Sequence, residues 1–278
     1  MKRYLKTDLA CELYKDETLK FNKINLFGYE TFETKRHLRN SSKIEKALTL
    51  CVGNCWKFGK KEELSITNAL CELIIHLMNE DKKSYKSVLV VGIGNNLITA
   101  DALGPMVVEK MIPTAHLESK SNAVYLLAPG ALGQTGFEIS DLINAIIKSY
   151  SVDCVVAIDS LCTSSFDRLG TTIQISNYGI KPGSGNGNER KEISKEALGI
   201  PVYSIGVPLA INASAFLSSA LLDADFNETS TELQALMDYF SSKYLSPKDL
   251  DLILDSVSKI IANALSRSLS IENIFPIS

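Results

Sequence analysis

The chain has 278 residues, 45% of them hydrophobic and 22% charged. That is enough for one large α/β domain or nearly two average ones, and it excludes disordered, fibrous and collagen-like chains. Twenty-nine Lys and Arg against 32 Asp and Glu leave a formal charge of -3, which offers no general attraction to nucleic acid or to an anionic membrane.

No internal repeat or long Pro/Gly/Ser linker divides the chain. Met1–Lys20 mixes basic and acidic residues without the apolar core of a secretory signal, and no apolar run approaches the roughly 18 residues of a membrane span. A cytoplasmic location is therefore expected. Lys23–Tyr29 and Ala47–Val52 read as peripheral edge strands or hairpins. From about residue 61 the pattern changes. Ala69, Leu73, Ile74, Leu77 and Met78 share one helical face within Glu62–Asn79, followed by a buried strand, Ser87–Ile93. A helix after Asp101 carries Leu103, Val107, Val108 and Met111 on one face. Strand Ala123–Leu127, helix Ile139–Tyr150 and strand Asp153–Ile158 complete the alternation. Apolar strands between helices predict an α/β fold with a mainly parallel sheet covered on both faces. Thr172–Ile175 and Val202–Val207 read as further strands and Ala210–Leu222 as a helix. Asp223–Lys243 reads as a connector with its own helix, and a last helix runs to Leu269 with Pro247 at its first position.

Ligands of open α/β sheets sit beyond the carboxyl ends of the strands. Asp159 directly follows the run Cys154–Ile158, and Asp101 follows Ser87–Ile93 across a short loop. On neighbouring strands both carboxylates would reach one crevice, where they could share a proton and activate water or hold a metal. The plainer reading is that Asp101 caps a helix and Asp159 a turn. The six cysteines include no C-x-x-C pair and the three histidines are scattered, so neither a zinc site nor a Cys/His nucleophile is supported. Gly92-x-Gly94 lacks the third glycine of a dinucleotide fingerprint, and Gly183–Asn188 lacks the ending of a phosphate loop. No cofactor is expected.

Val91-Gly-Ile-Gly-Asn95, Asp101-Ala-Leu-Gly-Pro105, Ala128-Pro-Gly130 with Gly133-x-Thr-Gly136, and Ala157-Ile-Asp159 occur in this order. Thr172–Ser176, Gly179–Gly185, Gly187-Asn188, Arg190-Lys-Glu192, Leu198–Val202 and Ile205–Pro208 follow them. In residues 85–210 the chain resembles the germination protease family, and Pro247–Leu269 resembles that family's terminal helix. Ala100 stands where the family usually has Pro, and Glu189 where it usually has Lys. The resemblance implies a fold similar to hydrogenase-maturation proteases and an atypical aspartic endopeptidase with Asp101 and Asp159 as the catalytic pair. It implies small acid-soluble spore proteins as substrates, with no direct nucleic-acid or membrane partner, a homotetramer, and an inactive precursor made in the forespore. A metal-dependent peptidase of the same fold and a catalytically idle spore structural protein are the competing readings.

Thr7-Asp8-Leu9-Ala10-Cys11-Glu12 mimics the substrate-type site Thr-Glu-(Ile/Phe)-Ala-(Ser/Gly)-Glu. The expectation is a self-cut between Asp8 and Leu9, with 1–8 a propeptide and 9–278 one domain made of peripheral strands (9–60) and a core (61–278). An ordinary amphipathic terminus is the alternative. Arg168, Lys181, Arg190 and Lys191 are candidate partners for the acidic side chain before the cut.

Overall fold

The computed structural model describes residues 7–13, 19–37, 44–80, 85–117, 122–183, 190–226 and 230–269. Met1–Lys6 of the expected propeptide and Ser184–Glu189 of the glycine-rich loop lie outside them. The strands are β1 (Leu19–Leu26), β2 (Tyr29–His37), β3 (Ile44–Cys51), β4 (Ser87–Gly92), β5 (Ala123–Leu127), β6 (Cys154–Thr163), β7 (Thr172–Ser176), β8 (Val202–Asn212) and β9 (Tyr244–Leu245). They form one nine-stranded sheet in the order β1-β2-β3-β7-β8-β6-β4-β5, with β9 on β8.

The parallel sheet expected from the sequence is its β8-β6-β4-β5 half. The other half is antiparallel, so the sheet as a whole is mixed. The helices are α1 (Lys60–Asn79), α2 (Leu103–Glu109), α3 (Leu132–Thr135), α4 (Ile139–Tyr150), α5 (Lys195–Leu198), α6 (Ala213–Asp223), α7 (Thr231–Phe240) and α8 (Leu250–Ser268).

Strand periodicity sorts the side chains between two faces. Val88, Val90, Val156, Ile158, Ile173, Ile175, Ile205 and Val207 pack with Leu70, Leu73, Leu103, Val107, Val257 and Ile261, so α1, α2 and α8 cover the middle of one face. On the other face Leu89, Val91, Val155 and Ala157 pack with Ile139, Ile143 and Leu198 from α4 and α5. That second cover lies over the parallel strands. Farther along the same face the inward residues turn polar, with buried Gln174, Ser176 and Ser204 beside Asp159.

Several boundaries differ from the sequence expectation. Ala47–Val52 is not an edge strand, because β3 lies between β2 and β7 with Leu48 and Leu50 fully buried. Lys23–Tyr29 spans a hairpin turn in which Phe27 (φ 54°) and Gly28 (φ 86°) are both left-handed, the geometry of a two-residue loop in which Phe is an unusual first residue. β6 does not stop before Asp159 but continues to Thr163 against β8. β8 likewise runs through Pro208, where the β6–β8 register shifts and the strand tolerates the missing N–H. Its last residue, Asn212, caps α6 by accepting from the Ser214 and Ala215 N–H groups, so that helix begins at Ala213 rather than Ala210. Pro247 precedes α8 instead of opening it, because the chain first leaves β9 through a turn.

Candidate active site

The loop after β4 holds Asp101 by close backbone approach. A Cβ on Gly92 would lie 2.2 Å from the Gly104 carbonyl oxygen, so the end of β4 and the start of α2 touch without side chains between them. Gly94 has φ +123°, and a Cβ there would lie 1.9 Å from the Asp101 carbonyl oxygen. The loop closes as the Asn95 N–H donates to Asp101 Oδ2 (2.9 Å) and to the Asp101 carbonyl (3.1 Å). Asn95 Oδ1 in turn accepts from Gln134 Nε2 (2.7 Å), whose Oε1 accepts from the Ala131 N–H (2.9 Å). Gln134 thereby links the Ala128–Gly136 segment to the Asp101 loop.

Asp159 is reached from the neighbouring strand. In register it sits opposite Gly206 of β8, which sits opposite Gln174 of β7. Aligned residues project to the same face, and between Asp159 and Gln174 the bare Gly206 backbone admits the Leu161 side chain, whose Cγ and Cδ1 would lie 2.6 Å from a Cβ there. Both aspartates, Gly206 and Gln174 line one cavity of about 430 Å³. Burial, the Asp101 charge and the Asp8 charge hold the Asp159 carboxyl well above the ordinary aspartate range, although Oδ1 accepts from the Ser160 N–H (2.8 Å). Burial also raises Asp101, opposed by the Asn95 N–H. The pair is therefore arranged to keep a proton at a pH where free aspartates have lost theirs. Ser160 Oγ, beside it, is buried without a hydrogen-bond partner among the described residues.

The N-terminal segment forms one wall of this cavity, which Thr7, Asp8, Ala10 and Leu13 line. β4 pairs with β6 only as far as Ile158. Beyond that point the Cys162 carbonyl accepts from the Asp8 N–H (2.9 Å) and the Cys162 N–H donates to Asp8 Oδ2 (2.8 Å). Gln174 brackets the next residue, with Nε2 donating to the Asp8 carbonyl (3.3 Å) and Oε1 accepting from the Ala10 N–H (2.7 Å). Leu9 and Cys11 are buried against Leu161 and Phe32, and Ala10–Glu12 forms a single 3-10 turn.

Asp101, Asp159, Asp8 and Lys181 are thus brought together around the cavity, and Leu9 is buried beside it. Arg168 also reaches the segment, but through Glu12 (Nη1–Oε1 3.3 Å) rather than through the residue before the expected cut. Lys191 pairs with Asp141 (2.7 Å) at the start of α4, and neither it nor exposed Arg190 lines the cavity. Sequence reasoning missed Gln174, Asn95 and Gln134. Gln174 left no readable trace, being one of three polar residues in the alternating strand Thr172-Ile-Gln-Ile-Ser176, all five of which are buried in the fold. The Cys162 thiol is pushed up to about 12 by burial and by Asp8, Asp159 and Asp101. Among the described residues no group of three or more His, Cys, Asp or Glu is placed to hold a metal ion, and no helix is long and apolar enough to cross a membrane.

Comparison with known proteins gives one consistent answer. Residues 15–236 match the family model described as germination protease. The chain is 36% identical over 242 residues to the germination protease of Clostridium perfringens (strain 13 / Type A), covering 76% of this chain and 73% of that one. It is 31% identical over 304 aligned positions to that of Caldanaerobacter subterraneus subsp. tengcongensis, covering 95% and 94%. It is 47% identical over 149 residues to that of Geobacillus sp. (strain WCH70), covering 51% and 40%. Among solved structures it aligns with the [NiFe] hydrogenase maturation protease HycI of Thermococcus kodakarensis KOD1 at a TM-score of 0.38 and 16% identity, covering 70% and 99%.

Proposed function

The chain belongs to the germination protease family, and we propose that it is a spore germination protease, an aspartic endopeptidase matured by cutting itself between Asp8 and Leu9. The observation that carries the reading is that Thr7, Asp8 and Ala10 form part of the wall of the cavity that Asp101 and Asp159 also line, held there by Cys162 and Gln174. Asp159, the carboxyl more strongly biased toward protonation, holds the proton and donates it to the carbonyl oxygen of the scissile peptide. Asp101, steadied by the Asn95 N–H, takes a proton from water as the water oxygen attacks the carbonyl carbon. Gln174 Nε2 already donates to the Asp8 carbonyl, the oxygen on which negative charge begins to build as water attacks and before Asp159 protonates it. The proton taken by Asp101 then passes to the departing Leu9 nitrogen as the C–N bond breaks, while one hydroxyl of the intermediate returns its proton to Asp159.

Substrates are small acid-soluble spore proteins presenting the same acid, apolar, Ala, small, Glu sequence, cut after the acid. The family resemblance extends the reading to a homotetramer in the forespore and spore core, with residues up to Asp8 as the propeptide. Intact-mass measurement after incubation at mildly acid pH tests the reading. Wild-type chain loses the residues through Asp8, whereas Asp159→Asn and Asp8→Ala keep them. An active wild-type enzyme with an unchanged N-terminus, or equal processing in Asp8→Ala, overturns it.

A further inference from the structure

Glu12 is held far more tightly than an exposed terminal segment requires. Its side chain is 2% exposed. Oε1 accepts from Thr163 Oγ1 (2.5 Å) and from Arg168 Nη1 (3.3 Å). Oε2 accepts from the Ser164 N–H (2.7 Å), Ser164 Oγ (2.7 Å) and Thr7 Oγ1 (2.5 Å). Thr7 belongs to the segment itself; the remaining donors come from the end of β6 and the turn that follows it. The Arg168 guanidinium lies over the Phe32 ring, 5.3 Å from its centroid, which fixes its plane against the sheet.

We propose that Thr163, Ser164 and Arg168 form a carboxylate subsite that reads a glutamate at the fourth residue beyond the cut bond. The inference rests on the peptidase reading and adds a specificity site to it. Arg168, a candidate partner for the acid before the cut, takes this role instead, while the Cys162 N–H receives the acid before the cut.

Chemistry makes the subsite selective. Arg168 Nη1 and the Ser164 N–H can only donate, so both oxygens of the guest must accept. A glutamine turns one of them into a donor facing donors, and an aspartate is one methylene short. The geometry adds a conformational demand. Glu12 reaches the subsite because the Glu12 N–H bonds the Leu9 carbonyl (3.0 Å) and the Leu13 N–H bonds the Ala10 carbonyl (3.1 Å). A guest must therefore bend into a turn just beyond the bond to be cut, which an unfolded segment does easily and a rigid strand does not.

The test uses full-length chain and two peptides, Thr-Asp-Leu-Ala-Ser-Glu and the same sequence ending in Gln, each extended and labelled at its N-terminus. Cleavage is followed by kcat/KM, and binding by fluorescence anisotropy in a chain carrying Asp159→Asn with Glu12→Ala, which frees the subsite of its own glutamate. We expect about a tenfold or greater preference for the Glu peptide in both readouts. Arg168→Gln or Ser164→Ala should reduce that preference severalfold. Equal binding of the two peptides, or an unchanged preference in both variants, overturns the subsite. A retained Glu preference in binding with no cleavage of either peptide leaves the subsite standing and overturns the peptidase reading alone.

Discussion

Asp159 is squeezed from three directions, by burial first and then by the Asp101 and Asp8 charges, and all three favour its protonated form. The unfolded chain titrates this group near 3.9, below its folded value. Its contribution to stability is therefore complete below about pH 4 and is lost as pH rises through the higher folded value. Asp159→Asn removes this dependence. The variant should fail to cleave, yet melt above wild type at pH 7 and equal to it near pH 4. Calorimetry at the two pH values checks it, and an active Asp159→Asn chain, or one less stable at pH 7, refutes the assignment. The same crowding of carboxylates keeps Cys162 a thiol. Cys162→Ser should retain most of the activity and the wild-type chain should resist iodoacetamide; loss of cleavage in both experiments would point to a thiolate. Asp101 and Asp159 were legible because each follows an apolar strand run. Gln174 was not, because its task depends on a cross-strand register that only the folded sheet supplies.

Elements were read best where burial is uniform. The runs that became β4, β5 and the first half of β6 are apolar throughout because helices lie above and below them. Past Ile158 the strand has lost β4 as a neighbour and one of its faces borders a cavity. Its residues then alternate Asp, Ser, Leu, Cys, Thr and no longer resemble a buried strand. β8 was cut short in the reading for a similar reason, since Pro208 signals an end unless a register shift accommodates it. The loop between β4 and α2 gives a sharp test of how closely backbone shape governs the site. Gly94→Ala puts a methyl against the Asp101 carbonyl at φ +123° and should lower cleavage about 100-fold by displacing that aspartate. Gly133→Ala meets nothing within 4 Å and should leave both activity and melting temperature near wild type. Equal effects of the two, measured by peptide cleavage and thermal unfolding, would refute the claim that loop closure positions Asp101.

At the scale of the whole molecule, α1, α2 and α8 pack on one face of the sheet, and α4, α5 and the chain's own Leu9 and Cys11 pack on the other. Leu9 is fully buried and Cys11 nearly so, so this segment is part of the packing as well as of the site. A bond cut within its own molecule breaks at a rate independent of protein concentration. The first-order constant for loss of the residues through Asp8 should therefore stay the same over a hundredfold dilution, as intact-mass time courses can establish, whereas proportionality to protein concentration would mean that one molecule cuts another. Seating of the segment has a second consequence, in the kinetics of the processed enzyme. Under the proposed maturation, Leu9–Glu12 stays joined to the sheet after the cut by the chain that follows it, at an effective concentration on the order of millimolar. Every incoming polypeptide competes with this resident occupant, so the apparent Michaelis constant measures an exchange between two chains, and detaching the resident should lower it while leaving the turnover number in place.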